Sequence, residues 1–143
     1  MKVAIVEAEV DIDRSPEDVF DYCSDHGREP EWNPMMKRIE RITDGPIGVG
    51  TRYSTQFSRG PAMQMECTRY DRPTHWSVVG ESAAMKVGGE NEISPTARGA
   101  HLVMRMEVEP RGALRWAMPL IRRRLDTQFH RDLENIKGIL EKG

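Results

Sequence analysis

The stretch GALRWAMPLIRRRLDTQFHRDLENIKGILEK, Gly112 to Lys142, decides how the rest of the chain must be read. At helical spacing it puts Leu114, Met118, Ile121, Leu125, Phe129, Leu133, Ile136 and Leu140 along one stripe. Steps of three and four are what an amphipathic helix requires. The other side carries Arg115, Arg122, Arg123, Arg124, Asp126, Arg131, Glu134 and Lys137. Such a helix reaches about 45 Å at about 1.5 Å per residue, and its apolar stripe needs a surface to cover it. Pro119 removes one backbone donor inside the pattern, so the spacing predicts a kink there, or a short segment to Met118 and a late restart.

Upstream, the period changes from helical to alternating. Ala4, Val6, Ala8, Val10 and Ile12 point one way; Glu7, Glu9, Asp11 and Asp13 point the other. That is a strand with one wet face. Ser15-Pro16 then opens a short helix, with Ser15 as N-cap, Pro16 in the first turn and Asp18 three residues after the cap. It carries Val19, Phe20 and Cys23 inward and ends near Asp25-His26-Gly27. Arg28 to Pro34, with two prolines, allows a single further turn or a loop. Six more alternating runs follow: 37–43, 51–58, 63–68, 75–81, 85–93 and 98–109. Turn clusters separate them, at Asp44 to Gly50, Gly60-Pro61, Asp71-Arg72-Pro73 and Ser94-Pro95-Thr96. Short connections imply an antiparallel meander. The expected class is α+β: a seven-stranded curved antiparallel sheet wrapped around the C-terminal helix, with two short helices between strands 1 and 2.

The 143 residues fit one domain, 1–143, with a sizeable core. A net charge of -2 offers no global basic field for nucleic acid. No apolar run nears the ~20 residues that span a bilayer, and no signal peptide is visible, so the expected location is cytoplasmic. Cys23 and Cys67 sit apart inside periodic segments and read as reduced, buried thiols rather than a disulfide. Nine methionines against three phenylalanines suit a space that adapts to its contents.

Four stretches carry a resemblance. Ile12 to Tyr22 is similar to the strand-to-helix entry of the SRPBCC superfamily, which includes START-related lipid-transfer, birch-pollen-allergen-like and polyketide cyclase/dehydrase-like proteins. Glu31-Trp32-Asn33-Pro34 resembles its proline-flanked tryptophan, Thr43 to Arg52 its glycine-rich hairpin, and the arginine-rich helix through Asp132 to Lys137 its last element. The resemblance implies the helix-grip fold, with a cavity between sheet and long helix. It also implies a ligand drawn from lipids, sterols, polyketides and similar hydrophobic molecules.

By alternation the cavity walls are Tyr53, Phe57, Met63, Met65, Trp76, Met85, Met104 and Met106 on the sheet, Met118 and Ile121 on the helix, and Trp32 at the mouth. A mostly apolar concave site with few polar groups is the usual small-molecule pocket; the simpler alternative is an ordinary core. Asn91, Thr55 and Tyr53 are the inward groups able to orient a ligand, unless each bonds neighbouring backbone. Glu66 and His75 have undecided faces. His26 is either a base at the pocket rim or an ordinary histidine at a helix end. No metal-ligand spacing, phosphate loop or G-x-S-x-G is present, so no cofactor, metal or covalent catalytic residue is expected.

Three functions remain open: a module that binds one small hydrophobic molecule, a polyketide cyclase/dehydrase-like enzyme, and a domain that docks a protein partner as chaperone cofactors do. The oligomeric state, monomer or homodimer, is undetermined.

Overall fold

The computed structural model of the protein describes residues 3–60 and 62–142. Pro61, half of one turn expected from the sequence, lies outside them. β1 (Ala4–Ile12) leads into α1 (Pro16–Cys23) and a 3-10 helix, His26–Glu31. Six strands follow: β2 (Met36–Arg41), β3 (Arg52–Phe57), β4 (Met63–Asp71), β5 (His75–Glu81), β6 (Met85–Pro95) and β7 (Ala100–Pro110). α2 (Leu114–Lys142) closes the chain. The sheet order is β1-β7-β6-β5-β4-β3-β2, with every pair antiparallel. This is the helix-grip arrangement that the alternation and the long terminal stripe require.

Local chemistry accounts for the elements. Ser15 caps α1 by accepting a hydrogen bond from the Asp18 backbone N–H at 3.1 Å, and Pro16 sits where its missing donor does no harm. α1 stops at Cys23, earlier than the sequence pattern suggests. Asp25 instead caps the next turn, its Oδ1 accepting from the Gly27 N–H at 3.2 Å. Gly45 and Gly50 take positive φ in the β2–β3 connection, the backbone state that glycine adopts without strain. A register shift between Cys67 and Arg69 changes the phase of β4. Alternation puts Met63, Met65 and Cys67 inward, but past the shift Tyr70 is the residue that packs on the core, against Phe20 at 5.1 Å between ring centroids.

The expected interruption at Pro119 does not occur as a split: α2 is one helix of 29 residues. Proline there frees only the Arg115 carbonyl, and Arg115 is exposed, so water can take the place of the missing donor.

The centre of the core is at one end of the molecule. Ile12, Val19, Phe20, Cys23, Trp76, Ile93, Leu102, Leu133 and Ile136 are all but completely buried there. The C-terminal half of α2 is bound to it by Arg14 donating to the Leu140 carbonyl at 2.6 Å and Lys137 to the Asp11 carbonyl at 2.7 Å. The Asp13 N–H adds a bond to Glu141 at 2.9 Å.

Candidate functional site

The concave face of the sheet differs between its two ends. At the α1 end its side chains are buried against α1 and the last turns of α2. Toward the other end, Met65, Val87 and Met106 are only half-buried although they point inward. On the first half of α2, Leu114, Ile121 and Leu125 are half-buried too, whereas Phe129 packs against the core. The inner face is thus less evenly covered around Met65, Val87 and Met106 than at the α1 end, although their neighbours Val6 and Val108 and the helix residue Met118 are buried. This region is the candidate site. Two depressions lie elsewhere. One, of about 380 Å³, is on the convex face among Glu7, His75, Glu90 and Arg105. The other, of about 370 Å³, lies between Pro34 and Gln128, Arg131 and Asn135 of α2.

A polar network borders the interior where the 3-10 helix, the sheet and α2 meet. The Trp76 indole N–H points at His26 Nε2 at 3.2 Å, and His26 Nδ1 lies 3.0 Å from Glu29 Oε1. Indole can only donate. Nε2 therefore accepts, and the proton of neutral His26 is on Nδ1, donated to Glu29. The other Glu29 oxygen accepts from Asn33 Nδ2 at 2.9 Å. His26 is 4% exposed, with both ring nitrogens engaged. It is neither a rim base nor a simple helix-end histidine; it links the end of α1 to the sheet.

Three buried groups beside this network are poorly served. The Trp32 indole N–H and the Tyr53 O–H donate to no partner among the described residues, although the His26 backbone N–H bears on the Tyr53 oxygen, and those side chains are 4% and 1% exposed. Tyr53 packs edge-on to His26, ring centroids 6.0 Å apart, and burial raises its pKa. Asp132 is 4% exposed and accepts from Gln128 Nε2 at 2.8 Å. Burial pushes its carboxyl up to about 7, opposed by the Gln128 bond and aided by the negative charge of Glu29.

The residues expected to line a pocket fall into distinct places. Trp76, Asn91 and Met104 are buried in one cross-strand row. Asn91 Nδ2 donates to the Trp76 carbonyl at 3.2 Å and Thr55 to the Met63 carbonyl at 3.0 Å, so both satisfy backbone. Tyr53 and Met65 are direct neighbours, as are Met106 and Gly89. Met63 is buried with its sulphur over Gly80, where an added Cβ would stand 2.7 Å from it. Met118 is buried and Ile121 half-buried on the inward side of α2. Phe57, opposite Met36, and Met85, opposite Pro110, are half-buried near strand ends. Trp32 is held by Asn135, which donates to its carbonyl at 3.0 Å.

Glu66 is exposed, and His75 lies on the convex face, 3.7 Å from Glu92. Cys23 and Cys67 are free thiols whose pKa burial raises. Among the described residues no group of His, Cys, Asp and Glu converges as metal ligands would. Nor is any helix there long and apolar enough to cross a membrane.

Glu29 and Asp132 escape the sequence reading. Glu29 lies in a segment without periodicity. Asp132 does give a signal: the series 125, 129, 132, 136 keeps the inward phase, so a carboxylate stands at a core position of the helix.

Residues 3–141 match the model of a family described as polyketide cyclase / dehydrase and lipid transport, and the chain belongs to that family. No curated protein matches the sequence. Among solved structures, the fold is similar to TTHA0849 from Thermus thermophilus, with a TM-score of 0.80, 15% identity, and coverage of 96% of this chain and 97% of that one. It is similar to the Zhui aromatase/cyclase from Streptomyces sp. R1128, with a TM-score of 0.79, 14% identity, and coverage of 99% and 95%. The di-domain ARO/CYC StfQ from the steffimycin biosynthetic pathway aligns with a TM-score of 0.75 and 14% identity over 98% of this chain. The chain spans about half, 52%, of that protein.

Proposed function

We propose that the protein holds one small hydrophobic molecule between the sheet and the first half of α2. The guest's oxygen-bearing end would be turned toward Tyr53, Trp32 and Asp132. The observation that carries this reading is the half-buried state of Met65, Val87 and Met106 on the inner face, together with that of Ile121 and Leu125 on α2. Inward apolar surface left wet in a folded chain is a cost of about 25 cal/mol per Å² that a greasy guest removes. The methionines let the walls adjust to its shape. Two unpartnered buried donors match a carbonyl or hydroxyl oxygen, and membership of a family named for cyclases, dehydrases and lipid transport supports a lipid or polyketide-like guest.

The test is mass spectrometry of small molecules released from purified protein, alongside the intact mass in non-denaturing spray. One bound apolar molecule is expected, lost in a Met106→Trp variant that fills the space. A protein that carries none, and takes up none from a panel of fatty acids, sterols and aromatic polyketides, would end the proposal.

A second reading rests on Asp132. A buried carboxyl whose pKa is raised to about 7 suits a proton-transfer group, and a cyclase/dehydrase-like reaction needs one. Turnover of model polyketides by the wild type, abolished in Asp132→Asn with binding retained, separates catalysis from carriage.

A further inference from the structure

The first half of α2 has a second face, turned away from the sheet. Trp116, Leu120, Arg123 and Thr127 follow at steps of four, three and four, which places them on one line. Counting about 100° per residue, that line is opposite Met118, the buried residue of this half. The placement agrees with exposure: Trp116 is 78% and Leu120 61% exposed, the former with the Arg115 guanidinium 5.4 Å from its ring centre. Residues 111–125 contain five arginines and no aspartate or glutamate; Arg111 pairs with Glu81 at 2.9 Å and Arg122 donates to the Ile5 carbonyl, while Arg115, Arg123 and Arg124 flank the exposed line. This run stands in a chain whose net charge is -2. The convex face on the other side of the molecule is acidic, with Glu7, Glu9, Glu90, Glu92 and Glu107 all exposed. The protein is therefore polarised: one side presents an indole and a leucine among arginines, the other a field of carboxylates.

We propose that this face of α2 docks the protein on an anionic bilayer surface. Indole is suited to the headgroup boundary, where its ring is shielded and its N–H stays wet. Leu120, one turn on, enters beside it, and the arginines meet lipid phosphates, to which juxtaposed basic groups are drawn. The acidic convex face is repelled, which fixes the orientation. Two exposed apolar side chains in single file on a convex rod fit a planar, deformable boundary rather than the concave pocket a folded protein partner builds for its anchors. The proposal does not depend on the interior holding a guest.

Vesicle co-sedimentation tests it, with phosphatidylcholine vesicles containing about one-third phosphatidylserine against pure phosphatidylcholine. Trp32 and Trp76 are buried, so aqueous quencher reaches chiefly Trp116, which reports its own insertion. Wild type is expected to sediment with anionic vesicles, release in high salt, and lose quencher access on binding. Arg123→Glu with Arg124→Glu should weaken binding at least tenfold, and Trp116→Ala with Leu120→Ala severalfold. All four positions are exposed, and unchanged melting curves confirm the fold. Absence of wild-type binding at about 0.1 M salt, where the screening length is still about 10 Å, overturns the proposal. So does equal binding to neutral vesicles, or binding that survives both pairs of substitutions. Salt-sensitive binding to single-stranded nucleic acid without vesicle binding also overturns it and assigns the face to a different partner.

Discussion

The two halves of α2 carry similar apolar stripes and meet different fates. From Asp132 to Leu140 the inward residues Leu133, Ile136 and Leu140 are buried. Backbone and side-chain bonds bind this half to β1, to the β1–α1 connection and, through Asn135, to Trp32. From Leu114 to Phe129, Met118 is the buried member of the stripe, and Arg122 donating to the Ile5 carbonyl at 3.1 Å is the tie to β1. The difference comes from what lies opposite. α1 supplies Val19 and Phe20 to fill the space at one end, whereas nothing equivalent among the described residues comes between the sheet and the other half of the helix. One element can thus be a structural keel over half its length and the wall of a site over the rest.

Substitutions of equal chemistry in the two halves break or sharpen that contrast. Ile136→Ala should cost about 2–5 kcal/mol in denaturant unfolding, the range for a buried large-to-small change. Leu125→Ala, at the same phase but half-buried, should cost about 1 kcal/mol. Equal losses would mean that the first half is packed after all. His26→Ala comes next, at about 2–4 kcal/mol, because it leaves the Trp76 N–H and Glu29 unpaired in the interior. Stability curves are the readout, and a near-neutral result would remove the network as a support of the packed end. An effect that large also makes activity loss in this variant a poor sign of catalysis.

Asp132 lies at the junction of the halves and should show the opposite sign. Below the ordinary carboxyl pKa of 3.8 it is protonated whether the chain is folded or not, and burial is without penalty. As pH rises from 3.8 to about 7, the unfolded chain ionises while the folded one keeps its proton, so stability falls. Above that the full penalty is present. Asp132→Asn is expected to add about 1–3 kcal/mol near pH 8 and nothing near pH 4, measured by urea unfolding across that range. An unchanged pH profile would show that Asp132 is already ionised and solvated when folded. A residue that weakens the fold at neutral pH fits a role in binding or chemistry rather than architecture.

The packed half is legible in the sequence, and the open half only in part. Strand alternation, the Ser15-Pro16 start and the terminal stripe each follow from a local period or a local bond, so they can be read without coordinates. Alternation also places Met65 and Met106 inward. It cannot say whether the helix above them touches, because that depends on how the sheet curves and on what α1 displaces. The β4 register shift that turns Tyr70 inward leaves no mark in residue types. Nor does the His26–Glu29–Trp76 chain, whose links span 3 and 50 positions. Asp132 is the exception, a charge in phase with an apolar stripe, readable once the stripe is trusted.

Tyr53→Phe gives the smallest effect and the sharpest separation. The Tyr53 O–H donates to no group of the fold, and its oxygen has at most the His26 backbone N–H beside it, so its removal should change unfolding free energy by less than about 1 kcal/mol. Thr55, its inward neighbour on β3, gives the internal control: Thr55→Val removes a hydroxyl that does bond the Met63 carbonyl and should destabilise. If the hydroxyl of Tyr53 is kept for a guest, Tyr53→Phe protein will retain its melting temperature while releasing the bound molecule more readily, by about 1 kcal/mol or roughly fivefold in affinity. Loss of stability without loss of guest would reverse the assignment and make Tyr53 part of the packed half.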